Sequence, residues 1–139
     1  MKKLLLTFVL LMLPNFATSV EIPKNIDEYL NKSYLGMSYS SALQQETPFL
    51  LIFANPNDLL SLAKLSGIGE MVYNEFRNKY NFCVINTKAQ ENELLYNAFA
   101  PKKLPALYII DTQSKTYVFI DKKYYKKREL RQILTHFSN

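Results

Sequence analysis

Six consecutive apolar residues, Phe49-Leu50-Leu51-Ile52-Phe53-Ala54, lie between Pro48 and the polar turn Asn55-Pro56-Asn57-Asp58. A run this short, closed at both ends by proline-containing breaks, has the length of a strand and not of a helix. It has no apolar–polar alternation, so both of its faces must be covered. That is the mark of a central strand in a mixed sheet. The apolar residues resume directly after the turn, with Leu59, Leu60, Leu62, Ala63 and Leu65 read as the stripe of a helix. Asn57 or Asp58 is placed to cap that helix. Strand, tight turn and helix therefore form the unit around which the rest must pack.

The 139 residues suffice for one domain and are too few for two comfortable cores. Lys2 and Lys3 precede an apolar run, Leu4–Leu13, that is broken by Pro14-Asn15 and followed by the small residues Ala17-Thr18-Ser19. This pattern reads as a signal peptide, 1–19, cut near Ser19, because the run is too short to span a bilayer. Residues 20–37 read as a lead-in with a short helix from Asn25 to about Lys32, and 38–139 as the folded domain. The expected location is outside the cytoplasm, periplasmic in a cell with two membranes and otherwise secreted. Loss of Lys2 and Lys3 lowers the formal charge from +5 to +3. So small an excess does not call for a nucleic-acid partner. One cysteine, Cys83, cannot form an internal disulfide.

Along the chain, Ser38–Glu46 reads as a helix ended by Thr47-Pro48. Gly67 and Gly69 are expected to break or kink the helix after the turn, with a second helical piece, carrying Ile68, Met71, Val72 and Phe76, running to about Tyr80. Phe82–Ile85 is a second apolar strand. Gln90–Phe99 reads as a helix with Leu94, Leu95 and Ala98 on its apolar face. Leu104-Pro105 opens a third strand, Ala106–Ile110. The turn Asp111–Ser114 joins it to Thr116–Ile120 as a hairpin. Lys127–Phe137 closes the chain as a helix with Leu130, Ile133, Leu134 and Phe137 spaced for one face. The sum is an α/β domain of three layers with a four-stranded mixed sheet.

That order, with a proline opening the third strand, resembles the thioredoxin fold. "PFLLIFANPNDLLSLAK" is similar to the family's apolar strand and active-site loop. "NFCVINTKAQENELLYNAFAPKKLPALYIID" is similar to its second strand, helix and cis-proline loop, and "SKTYVFIDKKYYKKRELRQIL" to its closing hairpin and helix. The resemblance spans about Ser38–Phe137. It implies a cis bond at Leu104-Pro105 and a shallow peptide-binding edge formed by Asn55, Pro56, Asn57, Leu104 and Pro105. The redox members carry Cys-x-x-Cys where this chain has Asn57 and Leu60. Dithiol–disulfide exchange needs an attacking and a resolving sulfur there, and neither residue supplies one.

The remaining residues give few chemical leads. Cys83 sits in an apolar strand, where a free thiol acts as a small hydrophobe. His136 stands alone near a helix end, so no zinc site is expected and no metal or other cofactor is assigned. No G-x-S-x-G stretch occurs, and no catalytic residue is nominated. Lys122, Lys123, Lys126, Lys127 and Arg128 fall in a basic stretch, 121–131, with Tyr124 and Tyr125 able to pack against an anionic surface. The reading is an exported thioredoxin-like module without redox cysteines, binding a polypeptide or envelope protein as an adaptor and not as an enzyme. Alternatives are thiol chemistry at Cys83, or peripheral contact with a membrane or other anionic surface through the Lys122–Arg131 stretch.

Overall fold

The computed structural model describes residues 19–22 and 33–138. The signal segment before Ser19 and the helix expected from Asn25 to about Lys32 lie outside them. In chain order the elements are β1 (Val20–Glu21), β2 (Ser33–Gly36), α1 (Tyr39–Leu43), β3 (Phe49–Ala54), α2 (Leu59–Glu75), β4 (Asn81–Asn86), α3 (Glu93–Phe99), β5 (Ala106–Asp111), β6 (Thr116–Ile120) and α4 (Lys127–Phe137). Single 3₁₀ turns, Gln90–Asn92 and Lys122–Tyr124, lead into the third helix and bridge toward the fourth.

One sheet holds six strands in the order β1-β6-β5-β3-β4-β2, where four were expected. The expected four form its centre. The additions are a two-residue strand antiparallel to β6 and a four-residue strand antiparallel to β4. Residues 20–21, read as loose lead-in, are thus an edge strand. Segments this short show no periodicity, so only pairing to a formed neighbour identifies them.

Every residue of β3 is buried, as its unbroken apolar run requires. It lies parallel to β4 and antiparallel to β5. Alternation divides its side chains between two cores. Leu50, Ile52 and Ala54 pack with Leu65, Ile68 and Val72 of α2 and with Leu130, Ile133 and Leu134 of α4. Phe49, Leu51 and Phe53 pack with Tyr39 and Ala42 of α1 and with Leu95 and Phe99 of α3.

The expected break at the glycines does not occur, and α2 runs unbroken through Gly67 and Gly69. Gly69 serves close packing, because a Cβ there would stand 3.3 Å from the ring of Phe82. At Gly36 (φ +78°) a side chain would overlap the Phe82 carbonyl, so only glycine closes β2 against β4. α3 buries Leu95 and Phe99, and the turn before it buries Asn92, while Leu94 and Ala98, read as part of the helix's inner face, are exposed. Polar contacts add to the packing of α4. The Tyr80 hydroxyl donates to the Leu134 carbonyl (2.7 Å), and Arg131 grips Glu75 through both carboxylate oxygens (2.6 and 2.9 Å).

Candidate functional site

The turn after β3 is built from its own side chains. The Ala54 carbonyl accepts from both the N–H (3.0 Å) and the hydroxyl (3.2 Å) of Thr87, which fixes the strand's end. Asn55 Oδ1 then accepts from the Asn57 N–H (3.0 Å), and the Asp58 N–H donates to the Asn55 carbonyl (3.1 Å). This is an asparagine turn closed by a β-turn, which is why asparagine suits position 55. Asp58 caps α2. Its carboxylate accepts from the Ser61 N–H (3.2 Å) and hydroxyl (2.6 Å). The Ser61 hydroxyl bond, followed by the N–H bond, holds the Asp58 carboxyl below the usual aspartate range, with a smaller contribution from the charge of Lys122.

The second half of the corner comes from β5. Its register pairs Phe53 with Ala106, so Pro105 falls beside Ala54, one residue before the turn. The Leu104–Pro105 peptide is cis. Sequence reasoning missed what holds this loop. The Tyr125 hydroxyl accepts from the Leu107 N–H (2.9 Å) and donates to the Pro105 carbonyl (3.3 Å). Tyr125, read as facing an anionic surface, is in fact buried behind the loop, and burial raises its pKa. A bulky side chain among lysines gave no sign of this. Its hydroxyl finds its partners only once the chain returns from β6.

The five residues expected at the edge are therefore neighbours. Asn57 is exposed, Asn55, Pro56 and Leu104 are half-buried, and Pro105 is buried. Beside them stand two residues read as core. Leu59 and Leu60 are 78% and 86% exposed. The signal that could have found them is periodic. The buried set Leu65, Ile68, Val72, traced back one turn, reaches Leu62 and leaves Leu59, Leu60 and Ala63 off the stripe. The corner thus presents two bare leucines.

The basic stretch is divided by the fold. Lys122, Lys123, Lys126, Lys127 and Arg128 are exposed, whereas Arg131 is tied to Glu75. Of these cations, the charge of Lys122 is the one that reaches Asp58. Cys83 is fully buried in the middle of β4, and burial pushes its thiol pKa up. Burial denies it access and disfavours the thiolate that reactivity needs. Among the described residues no three potential metal ligands cluster, and no helix is long and apolar enough to cross a membrane.

A helix-flanked mixed sheet with a cis-proline facing the turn after its central strand defines a class. The chain belongs to the thioredoxin-like domain family, whose model matches residues 33–136. The match takes in β2, so it begins earlier than the sequence resemblance did. Comparison with curated proteins gave no match.

Proposed function

We propose that the protein is an exported, periplasmic or secreted, thioredoxin-like module that binds a polypeptide partner at the corner formed by Asn55–Leu60 and Leu104–Pro105 and performs no disulfide exchange. The observation that carries this reading is the exposure of Leu59 and Leu60 beside the cis-proline loop. Two leucines on the first turn of a capped helix lower solubility and add nothing to the core, which makes them reasonable contact residues for a partner. Pro56 and the half-buried Leu104 extend the apolar surface, and the exposed Asn57 offers hydrogen bonds at its rim. The corner has no thiol to form a mixed disulfide.

A photo-crosslinking amino acid at position 60 tests this reading in an envelope extract, with the same group at the exposed Gln132 of α4 as control. Crosslinks to a defined partner from position 60 alone, lost in Pro105→Ala, are expected. Equal products from both positions would refute the corner as a binding site. The competing thiol reading fails if Cys83 in the native protein resists a maleimide until the chain is unfolded, and rapid native labelling would restore it.

A second reading follows from the five exposed cations between Lys122 and Arg128. It assigns them to an anionic surface, with association that weakens as salt rises. Neutralising Lys122, Lys123, Lys126 and Lys127 should then abolish binding to anionic vesicles. Binding that survives the four changes would exclude the patch.

A further inference from the structure

Among the described residues, the outer edge of β6 is covered by β1 over two, Val20 against Tyr117 and Glu21 against Thr116. Which backbone groups remain open follows from the ladder. The Ala54 carbonyl accepts from the Thr87 N–H, so the even residues of β3 face β4 and the odd ones face β5. Phe53, Leu51 and Phe49 then bond Ala106, Tyr108 and Ile110, which turns Leu107 and Ile109 toward β6. Their partners Ile120 and Val118 face inward, and Tyr117 and Phe119 face outward. The bond from the Ile22 N–H to the Lys115 carbonyl (2.9 Å) agrees with this alternation. Beyond the end of β1, the N–H and C=O of Phe119 point away from the sheet, and no described strand meets them.

A cavity of about 310 Å³ opens on the α3 side of the same strand. The rings of Tyr108, Tyr117 and Phe119 form it, with Tyr108 set 5.4 Å from each of the other two. Pro101 and Lys102 supply the opposite wall, and Lys102 is the single charged residue lining it. Phe119 and Val20 remain 37% and 43% exposed at its mouth. An open pair of main-chain groups selects another extended backbone, an aromatic cavity selects an apolar side chain, and an exposed ammonium at the wall selects a carboxylate.

We propose that the free end of β6 is a second docking site, separate from the corner, which takes an extended polypeptide segment as an added strand against Phe119, with one apolar side chain in the Tyr108–Tyr117–Phe119 cavity and a carboxylate two residues along, on the same face, at Lys102. The site is short, since only one residue of β6 offers both main-chain groups. Affinity therefore depends on the cavity, and the strand pairing fixes direction and register.

The probe is a dye-labelled, end-capped peptide, Thr-Val-Thr-Phe-Thr-Glu, with Phe and Glu on one face, titrated into the purified protein by fluorescence anisotropy, with amide exchange at Phe119 followed by NMR. Saturable binding that slows exchange of the Phe119 amide is expected. Replacing the peptide's Phe by Ala should weaken binding about tenfold, the loss of about 1.4 kcal/mol. Methylating the amide nitrogen that bonds the Phe119 carbonyl should have a similar effect. Lys102→Gln in the protein, or Glu→Gln in the peptide, should each cost roughly threefold at low salt, without adding to one another. Leu60→Ser should leave all of this unchanged, which separates the edge from the corner. Absence of saturable binding at millimolar peptide would overturn the proposal, as would binding that leaves Phe119 exchange untouched. A Phe119 amide already slow in the free protein, or concentration-dependent dimerisation through the edge, would overturn it by showing another occupant.

Discussion

The back and the front of the corner are made of the same kinds of residue and do different work. Behind it, Leu51, Ile52 and Phe53 are fully buried and the Tyr125 hydroxyl bridges two main-chain groups of the proline loop. In front, Leu59 and Leu60 stand in solvent on a helix turn held by Asp58 and Ser61. Five residues separate Phe53 from Leu59, yet one leucine-rich segment is core and the next is surface. Residue type alone does not decide burial, which depends on whether the element's stripe meets the sheet. The back is therefore expected to govern stability and the front to govern binding.

Truncation separates the two most strongly. Leu51→Ala should destabilise the protein by about 3 kcal/mol, within the usual range for a fully buried leucine. Leu60→Ser should change stability by less than about 0.5 kcal/mol, as for an exposed site. Urea denaturation of both variants checks this, and comparable losses would erase the distinction. Tyr125→Phe comes next. It leaves the Leu107 N–H and the Pro105 carbonyl without their buried partner and should cost about 1–3 kcal/mol. Faster exchange of the Leu107 amide should accompany the loss, and an unchanged rate would mean that the hydroxyl does not hold the loop.

The smallest expected effect is at Asp58 and depends on pH. Its folded-state pKa is depressed, first by the Ser61 hydroxyl. The ionised carboxylate therefore stabilises the fold above the unfolded aspartate value of about 3.9. That contribution disappears as pH falls through the lower folded value. Wild type should exceed Asp58→Asn in stability at neutral pH, and the gap should close in acid. A gap independent of pH would show that the cap acts by shape alone.

Much of this architecture was legible in the chain. The unbroken Phe49–Ala54 run could only be a strand covered on both faces. The Thr116–Ile120 and Lys127–Phe137 boundaries follow from turn residues and a clean helical period. The two N-terminal strands were not legible, because their short segments acquire meaning only by pairing with β4 and β6. The glycines misled, since α2 runs unbroken through them and Gly69 sits where a Cβ would crowd the Phe82 ring. The corner was found by its relation to Pro105. Its leucines and Tyr125 were misassigned, because a leucine-rich stretch hides its own phase and a tyrosine among lysines looks like surface.

The binding role proposed for the corner rests on its two exposed leucines. ¹H–¹⁵N shift mapping during titration with a permanently unfolded, carboxymethylated polypeptide tests it most directly. Perturbations confined to Asn55–Leu60 and Leu104–Ala106, and abolished by Leu59→Ser together with Leu60→Ser in a protein of unchanged stability, are the result expected. Shifts that spare these residues, or that persist in the double variant, would contradict it.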